Sequence, residues 1–62
     1  MLEYVKTILQ KVSFDRHLFE KELRKGVARL MPEEVRKLKA WCYTKFRHRY
    51  RDELDRVFLV YA

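Results

Sequence analysis

Apolar residues recur every three or four positions at the start of the chain, which is the spacing that places side chains on one side of an α-helix. Between residues 2 and 12 the opposite side is polar, so the pattern predicts an amphipathic helix over 2–12. A helix of three turns is marginal in isolation, and we expect it to pack on another element. The apolar side consists of Leu2, Val5, Ile8, Leu9 and Val12.

A second helix is predicted over residues 15–30. Asp15 suits the N-cap, because its carboxylate can accept a hydrogen bond from a free backbone N–H of the next turn. With that cap, Phe14 and Phe19 have the spacing of a hydrophobic staple. Gly26 lies on the apolar side, where glycine costs about 1 kcal/mol relative to alanine. Its presence there favours a close approach by another helix.

The strongest helix start in the chain predicts a third helix over residues 33–47. Pro32 suits the first helical position because the N–H that proline lacks is free there in any case. Glu33 and Glu34 complement the positive end of the helix dipole. The apolar stripe thins between residues 47 and 51, although neither glycine nor proline marks an end.

Two interpretations of residues 47–51 follow. One long helix could run from 32 to about 59, with a second copy of the chain covering its apolar end. Alternatively the helix breaks and a short fourth helix, about 51–59, folds back. We favour the break, because a long helix would project beyond the short first helix. The fold predicted is therefore an all-α, compact three- to four-helix bundle that forms a single small domain over 1–62.

The predicted core combines the apolar stripes of these helices. Its members contribute the buried surface that stabilises a small domain. They are Val5, Ile8, Leu9, Phe19, Leu23, Val27, Leu30, Val35, Leu38, Cys42, Phe46, Leu54 and Phe58.

Composition narrows the protein class. The chain has 62 residues with one glycine, one proline and one cysteine, so an intramolecular disulfide framework is excluded. The longest apolar run, residues 57–62, is far short of the roughly 18 residues that suggest a membrane span. The first residues lack the basic and apolar regions of a signal peptide. We therefore expect a cytoplasmic protein.

Positive charge is concentrated in one segment. Among the 17 residues from 35 to 51 there are seven basic side chains and no acidic one, whereas the rest of the chain has 8 basic and 9 acidic residues. The net charge of +6 therefore arises entirely in this segment. A helical projection places five of its residues within an arc of about 120°. They form a predicted polyanion-binding stripe of Arg36, Lys39, Tyr43, Arg47 and Arg51.

Several partners suit such a stripe. Lysine and arginine neutralise phosphates and release counterions, and Tyr43 or Tyr50 could stack on an unpaired base. An acidic protein or an anionic membrane surface would be attracted by the same charges, while the plainest alternative is a solvated face. A helix-turn-helix is disfavoured, because Glu33 and Glu34 would repel phosphates at the start of its recognition helix.

The C-terminal residues offer more apolar surface than one short helix can turn inward. This surplus predicts a protein-interaction surface, with a homodimer or an unidentified protein as the partner. The alternative is a frayed terminus. The residues predicted to form this surface are Leu54, Val57, Phe58 and Leu59.

No residue pattern in the chain indicates catalysis or metal binding. Cys42 lies on an apolar stripe and is predicted to be a buried small hydrophobe. His17 and His48 are 31 residues apart. Together with Cys42, they do not have the spacing of a metal-binding motif. We predict no enzyme, no cofactor, no metal and no small-molecule substrate. The function predicted is a non-catalytic interaction module, with a homodimer as one form, and the alternative is nucleic-acid or other polyanion binding through residues 36–51.

Overall fold

Three α-helices account for most of the chain in the computed structural model, which describes residues 1–59. They are α1 (Leu2–Lys11), α2 (Arg16–Arg29) and α3 (Pro32–Phe58). The Cα radius of gyration is 10.1 Å, close to the roughly 10.6 Å expected of a folded chain of this length. The predicted small all-α bundle is confirmed, and the first two helices lie within one or two residues of their predicted bounds.

The predicted helix starts are found where the capping residues placed them. The Leu18 N–H donates to Oδ1 of Asp15 at 3.1 Å, which caps α2. The Met31 N–H donates to Oε1 of Glu34 at 3.2 Å, and Pro32 is the first residue of α3. Local capping chemistry alone therefore determines where α2 and α3 begin.

The staple predicted between Phe14 and Phe19 is wrong. Phe14 is 71% exposed, whereas the Phe19 ring is fully buried against two aromatic rings of α3. Its centroid lies 4.9 Å from that of Phe46 and 4.4 Å from that of Tyr50. Phe19 therefore packs on aromatic residues of the core and not on Phe14.

The break predicted near residues 47–51 is present as a sharp kink at Tyr50, not as a loop between separate helices. Tyr50 has φ −126° and ψ 30°, outside the helical region. In a straight helix, residues 43 and 58 would be about 22 Å apart along the axis. Instead the Tyr43 and Phe58 ring centroids are 6.2 Å apart, and the Tyr43 hydroxyl donates to Asp55. Residues 51–58, the C-terminal arm of α3, therefore fold back along the first part of the helix.

The core forms where the three helices and the C-terminal arm meet. Every predicted core residue is buried except Ile8, which is half-buried. Tyr50 and Val57 join the core in addition. Trp41 lies at the core edge, where it is half-buried with its ring centroid 5.5 Å from that of Phe46.

Gly26 is the point of closest approach between α1 and α2, as its position predicted. A Cβ atom added there would lie 2.6 Å from Cγ1 of Val5, closer than two carbon atoms can approach. The absent side chain of Gly26 thus allows Val5 to reach the core.

Replacing Gly26 with alanine is expected to destabilise the fold by about 1–2 kcal/mol. Overpacking costs roughly 1–3 kcal/mol, and the better helix propensity of alanine returns up to about 1 kcal/mol. Urea denaturation of Gly26→Ala and of the double variant with Val5→Ala measures the effect. The two substitutions should be strongly non-additive, since Val5→Ala removes the clashing methyl groups. A Gly26→Ala variant more stable than the parent chain would contradict this account of the contact.

Candidate polyanion-binding face

Residues 35–51 of α3 present positive charge to solvent. All seven basic residues between 35 and 51 are exposed. We define the basic face as the four cations of the predicted stripe: Arg36, Lys39, Arg47 and Arg51. Arg36 and Arg47 are eleven residues apart, about 17 Å along the helix. Arg51 follows the kink at Tyr50, so a straight helical projection does not give its direction.

The acidic residues that form ion pairs do so with cations outside this segment. Within residues 1–59, none of the seven basic side chains of residues 35–51 forms a salt bridge. The carboxylates of Glu3, Glu20, Glu22 and Glu53 pair instead with Lys6, Arg16, Arg24, Lys25 and Arg56. Among residues 1–59 the fold therefore separates the charges, with ion pairs formed by cations outside residues 35–51 and none formed by the cations within them.

The tyrosines predicted to stack on bases are engaged inside the protein. Tyr43 is half-buried and donates its hydroxyl to Asp55. Burial, together with that hydrogen bond, raises the pKa of Tyr43 to about 12. Tyr50 is only 2% exposed, stacks on Phe19, and donates to the carbonyl oxygen of Ser13. The Tyr50 ring is therefore not accessible for stacking, and the Tyr43 ring is partly covered by contacts within the protein.

Most of the predicted C-terminal interaction surface is buried in the core. Leu54, Val57 and Phe58 are buried within the same chain, and of the four predicted residues only Leu59 is exposed, at 73%. The kink explains the difference, because it turns the C-terminal arm back onto α2 and the first part of α3. Residues 60 and 61, which contributed to the predicted apolar surplus, lie outside the described residues.

A cluster of ion pairs joins the C-terminal arm to α2. Glu20 accepts from Arg56 at 2.9 Å and from Arg24 at 2.7 Å. Glu53 is buried and lies 3.1 Å from Nε of Arg16. Helical spacing predicts the Glu20–Arg24 contact, but Arg56 is 36 residues from Glu20 and no local pattern could reveal that pair. The carboxylate of Glu53 likewise joins the C-terminal arm to α2 through Arg16.

The stability of the chain is expected to fall in acid as Glu20 becomes protonated. Hydrogen bonds from Arg56 and then Arg24 lower the pKa of Glu20 from 4.5 to about 2. Its contribution is therefore complete above pH 4.5 and is lost as the pH falls toward 2. Both guanidinium groups are half-exposed, so solvent screening limits the effect to about 1 kcal/mol.

Unfolding free energies measured by urea titration across this pH range test the effect of Glu20. Glu20→Gln should be less stable than the parent chain near neutral pH, and the difference should disappear near pH 2. A constant difference at every pH would show that the carboxylate charge is not responsible.

Cys42 is held as a buried hydrophobe. Burial raises the pKa of its thiol to about 12, so the thiol is protonated at neutral pH and is not an activated nucleophile. Across the part of the chain that the structure describes, no three His, Cys, Asp or Glu side chains are grouped to bind a metal ion. In the same part, the helices lack an apolar stretch of the length needed to cross a bilayer.

Comparisons with protein-family models, with curated proteins and with solved structures reveal no match to this chain. The interpretation of the basic face therefore depends on its own geometry and charge.

Proposed function

We propose that this protein is a non-catalytic binding module that holds nucleic acid on the basic face of α3, by contacts to phosphates. The observation that supports this proposal is the separation of charge within the fold. Seven exposed cations lie on one helix without a carboxylate partner among residues 1–59, while the carboxylates that form ion pairs use other cations. A face that served only for solubility would gain from interspersed charges of both signs.

The physical basis of binding is counterion release. Each lysine or arginine that neutralises a phosphate frees a condensed cation, which favours association at low salt. The helix carrying Arg36, Lys39 and Arg47 is narrow enough to enter the major groove of duplex DNA, which is about 12 Å wide. Since the nearby tyrosines are engaged internally, we expect little dependence on base sequence.

A nucleic-acid partner is favoured over a second copy of the chain. The apolar residues that suggested self-association are mostly buried within the protomer. Two copies would also bring the net charges of +6 together, and like charges oppose association.

Fluorescence polarisation of a labelled DNA duplex, measured at two salt concentrations, tests the proposal. If three or four phosphates are neutralised, the affinity should fall about a hundredfold between roughly 50 and 200 mM salt. Duplexes of unrelated sequence should bind within a few-fold of one another.

Vesicles of neutral and of anionic lipid provide the comparison. Absence of duplex binding at the lower salt would refute the proposal, as would binding to anionic vesicles alone. An affinity independent of salt would also contradict binding through phosphates.

A further inference from the structure

The fold-back of α3 creates a groove on the protein that the sequence did not indicate. The groove lies between the end of α2, the start of α3 and the C-terminal arm, and its volume is about 680 Å³. Among the described residues, its lining consists of buried apolar residues, exposed apolar residues and two exposed cations. The buried apolar residues are Val27, Leu30, Val35 and Phe58, the exposed apolar residues are Ala28 and Pro32, and the cations are Arg36 and Lys39.

The size of the groove suits a small molecule better than a protein. Ligand sites typically occupy about 300–1,000 Å³ and combine an apolar lining with a few polar groups. A stable protein interface needs roughly 20–30 residues from each partner, many more than line this groove. We therefore take its occupant to be a small molecule with an apolar body.

The cations at the groove indicate that the other end of the bound molecule carries a negative charge. Neither Arg36 nor Lys39 forms an ion pair within residues 1–59, and no described carboxylate lines the groove. The guanidinium of Arg36 can give two parallel hydrogen bonds to a carboxylate, while the ammonium of Lys39 adds a second positive charge.

We propose that the groove binds a small amphiphilic carboxylate of the medium-chain fatty-acid class. Its alkyl chain lies against Ala28, Pro32 and the accessible edges of Leu30 and Val35, and its carboxylate is bound by Arg36 and Lys39. This ligand differs from the one in the proposed function, although the groove and the basic face share Arg36 and Lys39. The distal half of the basic face, Arg47 and Arg51, does not line the groove.

Decanoate below its micellar concentration is the probe, and methyl NMR of the full chain is the measurement. The methyl signals of Val27, Leu30 and Val35 should shift saturably, while those of Leu2 and Val12 on α1 should not. Decyltrimethylammonium has the same chain length with a cationic head, and it should bind at least about tenfold more weakly, because hydrogen bonds to the charged carboxylate are lost.

Two tryptophan variants separate the groove from the rest of the surface. Ala28 is exposed and lines the groove, so Ala28→Trp should fill it and weaken decanoate binding by at least about tenfold. Gln10→Trp places the same side chain on an exposed position of α1 outside the groove and should leave binding unchanged. Ala28→Trp should also leave duplex binding unchanged, which separates failure of this site from failure of the proposed function.

Several results would overturn the fatty-carboxylate site. One is the absence of saturable shifts at the groove methyl groups, and another is equal binding of the carboxylate and the ammonium probe. Retention of decanoate binding in a folded Ala28→Trp variant would place the ligand elsewhere. Shifts at these methyl groups that follow protein concentration without decanoate would assign the groove to a second copy.

Discussion

Replacing Tyr50 with alanine is expected to destabilise the protein by about 3–5 kcal/mol. The Tyr50 ring is buried and stacks on Phe19, and its hydroxyl satisfies the carbonyl of Ser13. Removing the ring leaves a cavity at the point where α3 bends. Folded domains of this length have a total stability of about 3–9 kcal/mol, so the substitution should remove at least about a third of it.

Urea denaturation followed by circular dichroism measures the loss caused by Tyr50→Ala. Tyr50→Phe is the matched control, since it keeps the stacked ring and removes only the hydroxyl. It should cost about 0.5–1.5 kcal/mol, the net contribution of one hydrogen bond, because the Ser13 residue is only partly buried. If Tyr50→Ala costs no more than Tyr50→Phe, the ring does not stabilise the kink.

The Tyr50→Ala variant is also expected to self-associate. If the alanine variant straightens α3, residues 54, 57 and 58 lose their cover and become an exposed apolar patch. Analytical ultracentrifugation should then detect self-association that is absent from the parent chain and from Tyr50→Phe.

Reversing two charges on the basic face is expected to reduce duplex affinity by more than about a hundredfold at low salt. Arg47→Glu with Arg51→Glu removes two phosphate contacts, each worth about 1.5–3 kcal/mol as a charged hydrogen bond. The slope of log affinity against log salt should also become shallower by about 2, since two fewer counterions are released. These arginines lie outside the groove, so decanoate binding should be unaffected.

The matched control reverses two cations elsewhere. Lys11 and Lys21 are exposed on α1 and α2, and Lys11→Glu with Lys21→Glu changes the net charge by the same amount. This control should weaken duplex binding only a few-fold. An equal loss in both double variants would mean that binding responds to net charge and not to a defined face.

Local patterns predict much of this fold. The apolar spacing of residues 2–30 reveals α1 and α2, Asp15 and Pro32 mark helix starts, and Gly26 indicates the helix crossing. These features are readable because each depends on neighbours within a few residues, such as a cap, a turn or a missing Cβ. The concentration of cations in residues 35–51 is equally visible, since it is a matter of composition.

Other features depend on residues far apart in the chain. No glycine or proline signals the kink at Tyr50, because the bend is stabilised by contacts with Phe19 and Ser13 from other parts of the fold. The pairing of Glu20 with Arg56 has the same origin. Tyr43 shows the consequence for the candidate site, since its helical position suggested a binding aromatic and the returning arm gave it Asp55 and Phe58 as partners.

The sequence by itself determined that this protein is helical, where its first helices begin and which segment carries the positive charge. The sequence also favours a break near residues 47–51, but only the tertiary structure decided that this break is a kink at Tyr50 within one helix and not a separate fourth helix. It also decided that the basic side chains of residues 35–51 lack carboxylate partners among residues 1–59 and that a groove opens beside Arg36 and Lys39. The physical reason is that helix propensity and capping act over a single turn, whereas burial and ion pairing depend on distant residues brought together by the fold.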